Sequence, residues 1–417
     1  MPVRHLPDRP DVEQLRHQAK DLLREFRGGN PAAIADFADH HPERIAAATA
    51  KLADAQLVLA RSYQCSSWPL LVGVCHAIAS MTCEDFAALR EVVTAHPSLL
   101  GRPTDSAQFG WRVAVTHAAQ EAMVLIIERL SRNGFRNFDA VVADREQRHW
   151  LDTVRVLGRL GARFPRDAIG GALEVLDGSN IAFMVEIAGD IRDENGEWRS
   201  RAALTLETYA RNPAGKHRIL ETMVDQGIPF PDTPTMAVHR GRLDLLEQHL
   251  VRDSRLLVRT FAHCDIWPSD LGCHADESLA LHGVPLAGAT LLHMAVDYEE
   301  IDVVRWLLDH GMDVNVRADV DADGFGGHTP LFNCVITWNA GHRDTSITTF
   351  LLDRGADPNA MASIRKGLAF AKDPSVHEYR DVTPVELARR FHEPSYVHKP
   401  SVKIIEERGG RAGERVN

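Results

Sequence analysis

Two nine-residue segments, LLDHGMDVN (Leu307–Asn315) and LLDRGADPN (Leu351–Asn359), repeat one another with their glycines 44 positions apart. A leucine pair running into glycine and then an Asp/Asn turn is a way to stop a helix and send the chain back, because glycine accepts the left-handed backbone at a helix end. Looser versions, LSRNGF, LGRLGARF and MVDQGIPF, occur earlier in the chain. A chain that ends helix after helix in this manner builds pairs that cannot bury their apolar faces alone and must stack on their neighbours. Aromatics make up only 6% of the residues while Ala, Leu and Arg are plentiful, which favours helices over strands. The fold expected is all-α: an α-solenoid of helix–turn–helix repeats joined by long loops.

The amino-terminal block opens with DVEQLRHQAKDLLREFRGG, where Val12, Leu15, Ala19, Leu22, Leu23 and Phe26 recur at three- and four-residue spacing. Gly28 and Gly29 stop this helix, and Asn30-Pro31 starts the next with a cap and a proline at the first helical position. LADAQLVLARSY and SSWPLLVGVCHAIA supply further helices. From residue 82 to 235 helical pairs continue with a degraded signature. The register is explicit only in the last third, in TPTMAVHRGRLDLLEQHL, ATLLHMAVDYEEIDVVRWLLDHGMDVN, HTPLFNCVITWNAGHRDTSITTFLLDRGADPN and a stretched copy, VTPVELARRFHEPSYVHKPSVKIIEERGG. Thr290 to Thr329 is 39 positions, so a basic unit of about 33 residues carries insertions in its loops.

At these residues the chain resembles the ankyrin repeat family. The family's TPLH start reads here as Thr290-Leu291-Leu292-His293, Thr329-Pro330-Leu331-Phe332 and Thr383-Pro384-Val385-Glu386. Threonine caps a helix with its hydroxyl and proline suits the first helical position. The resemblance implies a stack of ankyrin-type repeats over 233–410, with insertions at 253–289, 316–328 and 360–380; the stretch GLAFAKDPSVHEYRDV (Gly367–Val382) is expected to be an exposed loop. Degenerate ankyrin-like repeats are expected over 81–232. The block 1–80 is similar to a leader found on bacterial ankyrin-repeat proteins and is expected to be a helical cap on the stack. Residues 411–417, rich in Gly, Arg and Glu, read as a disordered tail.

A net charge of -11 and a pI near 6.0 argue against a general affinity for nucleic-acid phosphates. The longest apolar runs fall far short of the roughly 20 residues a membrane span needs. No apolar signal core follows the amino terminus, and six scattered cysteines suit reduced thiols better than a disulfide framework, so a cytoplasmic location is expected. Oligomeric state is left open.

Two segments depart from the repeat template and are where a special function would sit. HCDIWPSDLGCHADESLALHGVPLAGA (His263–Ala289) gathers His263, Cys264, Asp265, Cys273, His274, Asp276 and His282. Zinc would need four such ligands converging, and this spacing matches no common zinc motif, so the expectation is a long loop on the inner surface with Trp267 and Leu281 beneath it. ADVDADGFGGHTP begins like a calcium loop at Asp319, Asp321, Asp323 and Gly324. Twelve positions on stands Pro330, not the bidentate glutamate that loop requires, so a turn presenting acidic groups and Phe325 to a ligand is expected instead. No metal or other cofactor is expected. The resemblance gives His293 a structural duty in holding neighbouring turns. Asp297, Tyr298, Trp338 and Asn339, at the ends of first helices, are expected on the rim of one surface.

Two functions follow. The first is a binding module whose concave face and inserted loops recognise a protein partner; Trp267, His293, Asp297, Tyr298, Phe325, Trp338 and Asn339 are its candidate contacts. The alternative is a cofactor-independent enzyme acting on a small molecule between residues 263–298 and 319–339. There His263, His282 or His328 would serve as general base, oriented by Asp265 or Asp323.

Overall fold

A computed structural model describes residues 4–82, 85–96, 99, 111–132, 142–159, 162–164, 166, 169–275, 282–337, 340, 341, 343–368 and 372–412. The chain divides into two compact units, residues 1–165 and 166–417. Neither the 80/81 nor the 232/233 division expected above coincides with that boundary.

The regular elements described in the first unit are all helices. Helix α1 (Val12–Arg27) is capped by the Asp11 carboxylate, which accepts the Glu13 amide at 2.7 Å, and buries Leu15, Ala19, Leu22 and Phe26 along one face. Helix α2 (Pro31–His40) begins at the Asn30 cap, and its Phe37 stacks on Phe26 with ring centroids 3.7 Å apart. The segments α3 (Leu52–Ser62), α4 (Trp68–Thr82), α5 (Phe86–Ala95), α6 (Trp111–Arg132) and α7 (Arg145–Arg159) follow. Among the described residues no helix is long and apolar enough to cross a membrane.

The second unit is built from helix pairs: α8 (Ile169–Glu174) with α9 (Gly178–Ala188), then α10 (Arg199–Glu207) with α11 (Pro213–Asp225) and α12 (Pro234–His239) with α13 (Leu243–Arg252). After the short α14 (His263–Ile266) come α15 (Leu291–Asp297) with α16 (Ile301–Asp309), α17 (Phe332–Val335) with α18 (Ser346–Asp353), and α19 (Pro384–Arg390) with α20 (Lys399–Glu407). First helices pack on first helices from α12 through α15 and α17 to α19, and second helices pack likewise from α16 to α20, as a stack requires. Gly311 and Gly355, with φ of 93° and 89°, take the left-handed backbone expected of them.

The helix starts are only partly as expected. Thr233 and Thr383 cap through their hydroxyls, which accept the amides of Met236 and Glu386, both at 3.2 Å. At Thr290 the hydroxyl instead donates to His293 Nδ1 (2.9 Å), because an imidazole now stands within its reach. Phe332 replaces that histidine in the next repeat and leaves the Thr329 hydroxyl without a partner among the described residues.

The fold is mostly helical, in keeping with the all-α expectation, with short strands at two places. Two antiparallel pairs are present: β1 (Thr260–Phe261) with β2 (Ala289–Thr290), and β3 (Ala362–Lys366) with β4 (His377–Val382). The stretch 367–382, expected as an exposed loop, thus ends in one hairpin arm, β4, which pairs with β3 just before it. Ala362, Ile364 and Lys366 are buried while Ser363 and Arg365 are partly exposed, the period-2 burial of a strand with one face covered. A buried lysine in the alternating set hid that period from a reading by hydrophobicity.

Candidate functional site

The first insertion forms a strap, held down over residues 263–274. Ile266, Trp267 and Leu271 are buried, and residues 263–271 pack on α10 and α12, the first helices of two successive pairs. The Asp270 carbonyl accepts from Arg199 Nε (3.2 Å), and both the backbone amide and Nδ1 of His274 reach the Glu207 carboxylate (2.6 and 2.9 Å). From α12, the Thr235 hydroxyl donates to the Asp265 carbonyl (2.5 Å) and His239 Nε2 to the Ile266 carbonyl (2.9 Å). The strap therefore covers part of the first helices α10 and α12.

Beneath the strap lies a buried polar cluster centred on Tyr298. Its hydroxyl donates to the Leu206 carbonyl (2.9 Å) and accepts from Trp267 Nε1 (3.0 Å), and burial pushes its pKa up. Lys216 Nζ sits 3.5 Å from the Tyr298 ring centroid and donates to His239 Nδ1 (2.7 Å), since Nε2 of that ring already donates to a carbonyl. Burial pushes both Lys216 and His239 well below their usual values.

Asp297 holds the other side of the cluster. Its Oδ2 accepts from Arg211 (2.7 Å) and lies 2.7 Å from His282 Nδ1; both members of each pair have side chains 2% exposed. Burial opposes ionisation of Asp297, but the Arg211 guanidinium and then His282 outweigh it and hold the carboxyl below the usual carboxylate range. Burial pulls His282 down to about 4 despite that carboxylate, so near pH 7 the ring is neutral and donates from Nδ1. Its Nε2 is then an acceptor, with no partner among the described residues. Arg343 ties the next repeat in through the carbonyls of Asn333 (2.9 Å) and Val296 (2.8 Å).

The geometry redistributes the residues singled out by sequence. Asp297 and Tyr298 are buried, not on a rim. The carboxylate paired with His282 is Asp297, neither Asp265 nor Asp323. Asp265 instead caps α14 by accepting the Ala262 amide (2.9 Å), and Asp323 is exposed and bound to Arg365 (3.0 Å). His263 donates from Nε2 to the His274 carbonyl (2.8 Å) and lies tilted against Trp267. His293 bridges repeats, its Nε2 donating to the His328 carbonyl (3.0 Å), and burial pulls it down to about 3. His328 is buried beneath the Pro285 carbonyl, to which its Nε2 donates (3.1 Å), and burial lowers it to about 4.

Cys264 is exposed, whereas burial raises the Cys273 thiol to about 12. Among the described residues no three His, Cys, Asp or Glu side chains converge as metal ligands would. Asp276, Leu281, Trp338 and Asn339 lie outside the described residues. Arg211, Lys216, His239 and Arg343 escaped sequence reading; single basic or histidine residues in ordinary helical segments carry no signal of a shared buried centre.

The second and third insertions fold onto each other. Arg365 spans Asp321 (2.9 Å) and Asp323 (3.0 Å), the positions read above as a possible cation loop, so a guanidinium sits where those carboxylates converge. Phe325 is buried with the guanidinium carbons of Arg365 and Arg380 at 4.7 and 4.1 Å from its centroid, and does not project toward a ligand as expected. Gly326 exchanges backbone bonds with Ser363, its amide donating at 2.6 Å and its carbonyl accepting at 3.3 Å. Between these loops and residues 285–288 opens a groove of about 400 Å³, walled by Asp319, Val320 and Gly326 on one side and by Ile364, Arg365 and Gly367 on the other. Val320 and Val376, both lining it, and nearby Met361 are exposed by 61%, 60% and 52%.

Residues 235–362 match the family described as ankyrin repeats, in three copies, over a little under a third of the chain. A search of curated proteins found no match to the chain.

Proposed function

Because residues 235–362 are ankyrin repeats, we propose that the chain is a protein-binding module that recognises its partner with the groove between its inserted loops. Ankyrin repeats are generally protein-interaction modules, and a solenoid ordinarily offers its first-helix face for that purpose. Here the strap covers that face at α10 and α12, which moves the free recognition surface to the interlocked insertions. The observation carrying the reading is the exposure of Val320, Val376 and Met361 around a groove whose walls are cross-braced by Arg365 and by the Gly326–Ser363 pair. Large apolar side chains held in water by a braced frame mark a contact surface. The test is proximity labelling with the wild-type chain, a Val320→Asp/Val376→Asp variant and a control carrying Val251→Asp, a residue exposed elsewhere. Loss of one labelled protein in the groove variant alone supports the reading; identical labelling by all three removes it.

A second reading, acid–base chemistry on a small molecule, draws support from one feature. His282 has its Nδ1 on a carboxylate and its Nε2 without a partner among the described residues, the orientation of a general base. Against it, Arg211 shares the same carboxylate and the ring is 1% exposed. A metabolite that raises the melting temperature of wild type but not of His282→Gln would favour this chemistry. Silence across a broad library would count against it.

A further inference from the structure

The hairpin that forms one wall of the groove has two edges, and they are treated differently. β4 lies against α19. β3 turns its outer edge toward the groove, and only part of that edge is used. Ser363 exchanges both of its backbone bonds with Gly326, so its N–H and C=O point away from β4. Backbone groups alternate between the two edges of a strand, so those of Arg365, two residues on, point the same way. No backbone or side-chain partner engages the N–H or C=O of Arg365 on that side among the described residues, nor the N–H of Gly367 beyond it. The pairing that Gly326 begins therefore stops after one residue, because the chain leaves through the turn at Asp321–Gly324, where the Gly324 amide donates to the Asp321 carbonyl.

Protein edges are usually blunted by a proline, a bulge or a charge laid across them. Between Arg365 and Gly367 β3 has no proline and no bulge, and of its two charged residues there Lys366 is buried. The one bulge of the hairpin lies at its other end, between Ala362 and Ile364. The Arg365 side chain is drawn off to Asp321 and Asp323. The groove volume of about 400 Å³ lies at the low end of the roughly 300–1,000 Å³ of small-ligand pockets, which suits a short length of chain better than a folded domain.

Charge then narrows the occupant. Asp321 and Asp323 share Arg365, while Asp319 is exposed on the facing wall, where the Thr260 hydroxyl donates to its Oδ2 at 2.7 Å and no cation pairs with it among the described residues. With a chain net charge of -11, a basic side chain is the complement that this wall calls for.

We propose that the open edge of β3 at Arg365 and Gly367 takes one added strand from a partner protein, an extended segment with an apolar residue over Val320 and Val376 and a Lys or Arg facing Asp319. Main-chain bonds would supply register and side chains at alternate positions specificity, as in other strand-addition modes. This proposal rests on the groove being the recognition surface, and adds the form and charge of what enters it.

The test uses the full chain and a displayed random library of twelve-residue peptides. Selected peptides should carry an apolar residue and a Lys or Arg at alternating positions. Their binding should slow hydrogen exchange at the amides of Arg365 and Gly367. N-methylation along one selected peptide should weaken binding at least tenfold at the amide that meets the β3 edge and less than twofold at its immediate neighbours. Asp319→Asn should lower affinity several-fold at low salt and less at high salt. Uniform effects of N-methylation, protection elsewhere with none at 365 and 367, or no selected peptide at all would each overturn strand addition. A protein still lost from the labelling of the Val320→Asp/Val376→Asp variant would in that event leave the groove as the recognition surface while excluding this mode of occupancy.

Discussion

Removing the Asp297 carboxylate should be among the most damaging single changes in the second unit. Its Oδ2 takes charge-assisted bonds from Arg211 and His282, both 2.7 Å long, in surroundings where all three side chains are 2% exposed. Bonds of that kind contribute roughly 1.5–3 kcal/mol each, and breaking a buried pair from one side costs about 3–5 kcal/mol. In Asp297→Ala the guanidinium keeps neutral acceptors in the carbonyls of Thr208, Ala210 and residue 297 itself. The expected loss therefore lies near the lower end, about 3 kcal/mol. Arg211→Met should cost as much or more, since it strands a carboxylate. The double variant Arg211→Met/Asp297→Leu buries no charge at either position and should recover at least half of the single-variant loss. Urea unfolding followed by tryptophan fluorescence suits the measurement, because Trp267 packs on His282 and bonds to Tyr298. Hydrogen exchange across residues 282–300 localises the effect where the stack does not melt as one unit. A loss below about 1 kcal/mol for Asp297→Ala, or a double variant as unstable as the sum of the singles, would refute the buried-pair reasoning.

Other consequences can be checked on the same protein. His282, His293 and His328 are held by burial near 4, 3 and 4, below the ordinary value of 6.5, so each stays neutral when folded and takes up a proton on unfolding. Their stabilising contribution is present above pH 6.5 and is lost as pH falls from there toward 4. Near pH 5 the slope should be about 1.4 kcal/mol per pH unit for each histidine, and His328→Gln should remove about one histidine's share, read from denaturation midpoints at a series of pH values. In the first unit, exposed Gln64 holds φ of 61°, and its carbonyl, which accepts from Trp111, survives substitution. Gln64→Gly should raise stability by about 1 kcal/mol, and no change in melting temperature would mean that the left-handed backbone costs nothing there. Gly241, at φ 61°, would drive any Cβ into the His217 ring, which bonds to Glu300 at 2.9 Å. Gly241→Ala should cost about 2–3 kcal/mol, the left-handed backbone accounting for roughly 1–2 of it; a neutral result would show that His217 moves freely.

The parts of this molecule that could be read in its sequence are those written in short range. Asn30-Pro31, the Thr-Pro starts and the leucine–glycine endings each act within one helical turn, so helices and repeat register could be taken from the residues themselves. The hairpin at 362–382 could not, because its strand period depends on burying Lys366. Nor could the cluster at Tyr298: Arg211 and Asp297 are 86 positions apart, and nothing local to either announces the other. The same distance misled the pairing of His282, whose carboxylate comes from the end of α15 and not from an insertion. Burial also reversed the expectation for Phe325, which its neighbours Arg365 and Arg380 cover. The groove itself arises from two insertions meeting, and the open edge of β3 becomes visible only once Gly326 is seen to pair with Ser363 and then depart.

The most direct test of the central claim is a hydrogen-exchange footprint of the full chain with a protein recovered by the wild-type bait and lost from the groove variant. Exchange should slow at 319–326 and 362–367, while the strap at 263–275 and the helices beneath it stay unchanged. Protection along the first helices, with exchange of the strap accelerated as it is displaced, would contradict the claim and return recognition to the face the strap now covers.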